Sequence, residues 1–254
     1  YENENLLFLG TEFGLFVTVD GGLNWSRFTN NMPAAAVMYL ALHEKTSDLV
    51  MATHGRGIII IDDISPLREI TPEILEKEVH FFSSKPFVMK EDSGFAENFG
   101  TETQFVGENP STNARIVYYL NKRHTFGKMD MEVQDMEGNK IATLNAGKSK
   151  GLNIVDWNFT SRGPKIAEAK TLTFSGFATP RVPAGKYNIV MTKGKETYTH
   201  PIELVYDPNT IVTPEGRKER QRMVEILFDM NEELAYQVYK VNTTIKRAEG
   251  LMAQ

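Results

Sequence analysis

The 254-residue sequence contains no cysteine, which excludes disulfide bonds, thiolate metal sites and cysteine nucleophiles. It also lacks any run of about 18 apolar residues that could form a transmembrane helix. Its 28 lysines and arginines are outnumbered by 33 acidic residues, giving a net charge of −5. A chain of this charge is not expected to bind nucleic acid or an anionic membrane surface.

The motifs of common catalytic and metal chemistry are missing as well. There is no glycine-rich phosphate loop, no His-Glu-x-x-His sequence and no Gly-x-Ser-x-Gly sequence. The five histidines are scattered without the spacing of metal ligands. We therefore predict no catalytic residue, no metal site and no cofactor within this sequence, and leave open whether it belongs to an enzyme.

Short β-rich runs organise the first part of the chain. LLFLG, GLFVTV and NWSRF are separated by TEF and by Asp20-Gly21-Gly22, which predicts strands and a tight hairpin. Asp20 can accept hydrogen bonds from its own turn, and Trp25 can cover the hairpin from the side. We favour a structural role for this turn over the alternative, a ligand site.

The sequence LVMATHGRGIIIIDD, residues 49–63, is a second copy of this pattern. Thr11 matches Thr53 at a spacing of 42 residues, and Asp20 matches Asp63 at 43. Repeats of 40 to 50 residues with short strands are typical of β-propeller blades. We predict that Val37–His43 forms the innermost strand of the second blade and Leu67–Ile70 its outermost, so that residues 1–70 are the terminal blades of a larger ring.

The pattern of Thr18, Asp20, Gly22 and Trp25 resembles the Asp-box, or BNR repeat, of sialidase-like, oligoxyloglucan-hydrolase-like and sortilin-like propellers. With THGRG at 53–57, it is similar to the last blades of large secreted bacterial proteins described as BNR-repeat or sortilin-like glycosyl hydrolases. The small hydroxyl residue usual before the tryptophan is Asn24 here. In that family the Asp-boxes are peripheral and do not react, so the resemblance implies a structural role for Asp20.

Two loops of these blades are candidates for a ligand-binding face. One carries Glu12, and the other carries His54 and Arg56 between glycines that would let a ligand approach the backbone. His54 and Arg56 could bind an anion or a carboxylate. We favour the alternative that Arg56 braces neighbouring blades, because one histidine and one arginine supply no acid/base pair.

The rest of the chain predicts a linker and a second domain. Residues 71–85 read as a linker with a helical turn capped by Thr71 and opened by Pro72. Alternating runs in 86–206 indicate an antiparallel β-sandwich with Trp157 and Tyr187 in its core. GLNIVDW and PAGKY resemble Ig-like or fibronectin III-like sandwiches of flagellar hook-assembly type, and NPSTNARIVYYL resembles the domain that follows the propeller in the bacterial BNR family.

An acidic segment, Lys90 to Glu108, carries Phe95, Phe99 and Phe105. A loop of this length is uncommon unless it has a function or is disordered. We consider two roles, docking on a partner and lying over the edge of the sandwich, and favour the second.

Residues 207–254 predict one long amphipathic helix, capped by Thr213 and opened by Pro214. Its apolar residues follow a spacing of three and four, which forms a seam for one partner helix. The resemblance implies that this helix starts a longer helical region. The seam consists of Leu227, Met230, Leu234, Val238, Val241, Ile245, Ala248 and Met252.

These observations predict a mostly β chain: propeller blades, a sandwich and a helix. The sequence opens with neither methionine nor a signal peptide, so we expect a longer precursor that is secreted, periplasmic or on the cell surface. We predict a binding or scaffold module. Its expected partners are the rest of its propeller and another protein or helix along the helix seam, with carbohydrate as a further candidate ligand. The alternatives are a glycoside hydrolase with its carboxylates in upstream blades and a sortilin-like peptide-binding propeller.

Overall fold

The computed structural model describes residues 3–90, 111–168 and 179–252. Within these residues the chain is mostly β-sheet and carries a long helix near its C-terminal end. It divides into two compact units, the first drawn from 1–83, 117–124 and 148–153 and the second from 84–116, 125–147 and 154–254. The predicted domain boundaries stay a prediction.

Two three-stranded antiparallel sheets form most of the first unit. In each sheet, the strands follow one another in chain order, so that each connection is a simple reversal. One sheet consists of β1 (Leu7–Thr11), β2 (Gly14–Thr18) and β3 (Ser26–Arg27), and the other of β4 (Val37–His43), β5 (Asp48–Thr53) and β6 (Ile58–Ile61).

The sequence repeat corresponds to two hairpins, β1–β2 and β5–β6. The matched threonines close these hairpins in the same way. The hydroxyl of Thr11 donates to the carbonyl oxygen of Gly14 at 3.0 Å, and that of Thr53 donates to the carbonyl oxygen of Gly57 at 2.6 Å. The repeat therefore preserves a turn contact as well as a hydrophobic pattern.

Residues of the two sheets meet in one core, which also includes Ile64, the residue before helix Ser65–Glu69. The core residues are Leu15, Val37, Leu49, Met51 and Ile64. Leu15 and Met51 are fully buried. Gly10 of β1 lies against β4 so closely that an added Cβ would be 2.8 Å from the carbonyl oxygen of Val37. The missing side chain at Gly10 allows this close approach.

The prediction that Leu67–Ile70 forms the outermost strand of the second blade is wrong. The first three residues of this stretch belong to helix α1 (Ser65–Glu69), which has Pro66 in its first turn, where a fixed φ favours helix, and Ile70 caps the C-terminal end of that helix. Leu67 and Ile70 both pack into hydrophobic clusters. A spacing of three places both side chains on one side of a helical turn, whereas alternation in a strand would separate them.

The segment expected to be a linker contains a helical turn and a strand. Helix α2 (Pro72–Glu76) begins as predicted, since the hydroxyl of Thr71 accepts a hydrogen bond from the backbone N–H of Ile74 at 3.4 Å. Strand β7 (Val79–Phe81), which the sequence analysis missed, pairs antiparallel with β9 (Ala114–Leu120). A three-residue strand is too short to show a periodic pattern.

A five-stranded sheet in the order β11-β10-β13-β14-β8 forms much of the second unit. Its neighbours pair antiparallel except β14 and β8, which are parallel, with Leu204 opposite Phe87. The sequence predicts a purely antiparallel arrangement, and the pairing of β14 with β8 differs from it. No hairpin joins these two distant strands, so no tight turn forces them to run antiparallel. The strands are β8 (Phe87–Met89), β10 (Met129–Gln134), β11 (Lys140–Leu144), β13 (Gly185–Lys193) and β14 (Glu196–Tyr206).

A further sheet has the order β12-β9-β7, where β12 is Gly151–Trp157. Trp157, at the end of β12, packs edge-on against Tyr187 of β13 with ring centroids 5.6 Å apart. The indole N–H donates to the carbonyl oxygen of Thr160, and the Tyr187 hydroxyl donates to that of Pro183. The prediction that both aromatic residues belong to the core is confirmed.

Helix α3 (Pro214–Met252) confirms the predicted long helix. The hydroxyl of Thr213 accepts a hydrogen bond from the backbone N–H of Gly216 at 3.1 Å, which satisfies one of the unpaired donors of the first turn.

His80 of β7 has a buried ring nitrogen, Nε2, with no hydrogen-bond partner among the described residues. This nitrogen lies 3.9 Å from a carboxylate oxygen of Glu69, too far for a hydrogen bond. Burial lowers the pKa of His80 below its usual 6.5, and the positive charge of Lys77 adds to this, while Glu69 opposes it.

Changing Gly10 to alanine should destabilise the first unit by about 1–3 kcal/mol, because β1 and β4 must separate to admit the methyl group. Urea unfolding would measure this. Gly250→Ala is the control, since nothing lies within 4 Å of the Cβ it would add. Equal stability of the Gly10→Ala chain and the unaltered chain would contradict the tight contact.

The free energy of unfolding should fall as the pH drops below about 6.5. The unfolded chain protonates His80 near that pH, whereas the folded chain, with its lowered pKa, resists protonation. Urea unfolding between about pH 7.5 and 5.5 would measure the slope, and His80→Gln should make it shallower. If the free energy of unfolding of His80→Gln has the same slope against pH as that of the unaltered chain, His80 is not the source of the slope.

Candidate functional site

The carboxylate of Asp20 is fully engaged in its own turn. The hydroxyl of Thr18 donates to its Oδ1 at 2.6 Å, and the backbone N–H of Asn24 donates to the same oxygen at 2.9 Å. The side-chain amide of Asn24 donates to Oδ2 at 2.8 Å. Asn24 therefore supplies two of the contacts that hold this carboxylate.

The hydrogen bonds from Thr18 and then Asn24 lower the pKa of Asp20 to about 2. A carboxylate held ionised in this way is a poor proton donor near neutral pH. The same turn occurs at Asp135, where Asn139 donates from its backbone at 2.7 Å and from its side chain at 2.9 Å. In both turns the carboxylate accepts hydrogen bonds from its own turn. The proposed structural role of Thr18, Asp20, Gly22 and Trp25 stays a prediction.

Glu12, His54 and Arg56 lie in exposed hairpin turns of the first unit. The polar contacts that close these turns come from threonines and from the backbone, including a hydrogen bond from the N–H of His54 to the carbonyl oxygen of Ala36. The exposed side chains have the chemistry to contact a ligand, but their role as a binding face stays a prediction.

The proposed partner-docking residues Phe95, Phe99 and Phe105 lie outside the described residues. Among the described residues, no group of three or more histidine, aspartate or glutamate side chains is arranged to hold a metal ion. No described helix is long and apolar enough to span a membrane.

Most of the predicted helix seam is exposed. Val238 is half-buried, while the other apolar residues of the seam face solvent along α3. We call these exposed residues the outer stripe. They are Leu227, Met230, Leu234, Val241, Ile245, Ala248 and Met252.

A different face of α3 packs against the second unit. Arg162 donates to a carboxylate oxygen of Glu232 at 2.9 Å, and its guanidinium lies 4.7 Å from the centre of the Phe228 ring. The backbone N–H of Lys165 donates to the same oxygen of Glu232 at 2.6 Å. Since consecutive helical residues are about 100° apart, Phe228 and Glu232 lie about 100° and about 140° around the helix from Leu227. Docking of the helix thus leaves the outer stripe uncovered by these contacts.

A groove of about 460 Å³ lies between α3 and the strands of the second unit. Val182, Val224 and Phe228 contribute apolar surface, and three arginines also line it. Arg181 donates to the carbonyl oxygen of Lys90 at 2.8 Å, and Arg217 stacks over Tyr206 at 4.1 Å. The third arginine is Arg220.

The sequence analysis missed these arginines. They come from a loop near residue 181 and from the first turns of α3, and no local pattern connects segments so distant in sequence. The one sequence feature that could have indicated them is the cluster of basic residues at the start of the helix, and such a cluster is equally typical of a solvent-exposed surface.

No protein-family model and no curated protein matches the sequence. A solved structure of PorZ, described as an essential bacterial surface component of the type-IX secretion system of Porphyromonas gingivalis, has 14% sequence identity to it. The match covers 80% of this chain and 21% of the PorZ chain, with a TM-score of 0.26. The chain therefore spans about a fifth of that protein.

Replacing Asp20 with alanine should weaken the turn, because the N–H of Asn24 loses its acceptor. We expect faster amide hydrogen exchange at Asn24 and a lower melting temperature. The contribution of the carboxylate to the free energy of unfolding should be present above about pH 3.8 and be lost as the pH falls through about 2. Asp135→Ala is the matched control, because it removes the equivalent turn contacts at Asn139. Unchanged exchange at Asn24 in Asp20→Ala would contradict the structural role.

Proposed function

We propose that this chain is a binding or scaffold module, part of a secreted or envelope-associated bacterial protein whose first unit consists of Asp-box propeller blades. The second unit would be an Ig-like or fibronectin III-like sandwich that carries α3. No catalytic step is assigned to the chain.

The main observation that supports this proposal is the apolar character of the outer faces of the two sheets in the first unit. Ile58 and Ile60 alternate with core residues along β6 and are 71% and 55% exposed. Leu7 and Leu9 form a similar pair on β1. An antiparallel sheet with one face in water normally has polar residues on that face. Apolar side chains on both faces indicate that each sheet is covered on both sides in the assembled protein.

Another sheet of the same kind is the occupant that best fits these outer faces. The first unit already packs sheet on sheet through aliphatic residues, including Leu15 and Met51. A propeller repeats this packing from blade to blade, with each small sheet buried between two neighbours. Further blades of the same polypeptide would therefore cover Ile58, Ile60, Leu7 and Leu9.

The outer stripe of α3 supports a role in binding. Together with half-buried Val238, its residues follow a spacing of three and four over Leu227 to Met252, the pattern that one partner helix fits. The contacts that hold the helix on the second unit use Phe228 and Glu232 on another face. We propose that a helix with a complementary apolar face packs along this stripe.

Site-specific photo-cross-linking tests the propeller assignment in the protein as its source produces it. A benzophenone side chain at position 60 should form a cross-link to another β-sheet of the same polypeptide. The same group at Glu44, in the exposed turn between β4 and β5, is the control and should give no such product. Absence of any cross-link from position 60, or cross-links only to a different protein, would contradict neighbouring blades.

A further inference from the structure

The groove beside α3 has walls made of apolar side chains and proline rings. Val182, Val224 and Phe228 lie along it. The carbonyl oxygens of Pro180 and Pro183 already accept hydrogen bonds, from the backbone of Ser161 and the hydroxyl of Tyr187. Since a proline has no N–H, these residues present mainly apolar surface to an occupant. The third proline of the wall is Pro164.

The charge of the groove is opposite to that of the chain. Arg181, Arg217 and Arg220 are lining residues, and no aspartate or glutamate is among the described residues that line the groove. The whole chain, by contrast, has a net charge of −5. Three positive charges beside an apolar wall favour a ligand that has both carboxylates and apolar side chains.

Two of the arginines are held in position. Arg181 donates to the carbonyl oxygen of Lys90, and Arg217 stacks on the ring of Tyr206. Arg217 and Arg220 also have partners within the chain. A guanidinium has five N–H donors, so one that already has a partner can still bind a carboxylate. Side chains fixed before binding lose less conformational entropy when a ligand arrives.

The length of the groove fits a short extended peptide. Its helical wall runs from Arg217 to Asn231. This stretch is about 21 Å long at 1.5 Å per residue. An extended peptide of about six residues spans that distance.

From this chemistry we propose that the groove binds an extended acidic peptide with apolar side chains, whose carboxylates contact the arginines and whose apolar side chains lie against Phe228 and the proline wall. This site is separate from the sheet faces, shares Leu227 with one end of the outer stripe, and does not depend on the propeller assignment.

Fluorescence anisotropy with three labelled hexapeptides tests the proposal on the complete 254-residue chain. One peptide alternates glutamate and phenylalanine, the second alternates lysine and phenylalanine, and the third alternates glutamate and serine. The first should bind at least about tenfold more tightly than either of the others, and its affinity should fall as salt is added. Equal binding of the first and second peptides, or no binding of the first, would overturn the proposal.

Arg220→Glu should weaken binding of the glutamate–phenylalanine peptide by about tenfold or more, because an attraction becomes a repulsion. Arg222→Glu is the matched control: it makes the same charge change on the same helix, but Arg222 pairs with Glu219 and does not line the groove. Circular dichroism would show that both variants keep the helix. Equal loss of affinity in the two variants would indicate general charge attraction and would also overturn the proposal.

Discussion

The contact between the two small sheets of the first unit is the interaction on which its structure depends. Each sheet has three strands, and the buried residues of both sheets belong to one shared core. Leu15 and Met51 become fully buried only because the sheets meet, and Gly10 permits the meeting because it has no side chain to hold the strands apart. The same alternation that supplies this core leaves Ile58 and Ile60 on the opposite face.

Acidic residues in the tight turns have a structural explanation. Asp20 and Asp135 each accept hydrogen bonds from the backbone and side-chain amide of an asparagine four residues later. These contacts favour the ionised carboxylate and lower both pKa values. A turn dense in aspartate, glycine and asparagine can resemble an active site in sequence, yet here its polar groups are used by the turn itself.

The second unit shows how one helix can present two different surfaces. Phe228 and Glu232 attach α3 through apolar, cation–π and charge-assisted contacts to Arg162 and the backbone of Lys165. This attachment leaves an aliphatic outer stripe and the groove with its arginines, and Leu227 belongs to both surfaces. The two surfaces have different chemistry, since the stripe has no charge of its own and the groove combines apolar walls with three positive charges.

The sequence by itself determined the features that depend on neighbouring residues. The hairpins around Thr11 and Thr53, the cap at Thr213 and the extent of α3 follow from turn chemistry, capping and apolar spacing within short stretches. Only the tertiary structure decided that Leu67 belongs to a helix, that β8 pairs parallel with β14, and that Arg181 shares a groove with Arg220. These features bring together segments far apart in the chain or depend on which face is buried, and local sequence patterns carry no information about such distances.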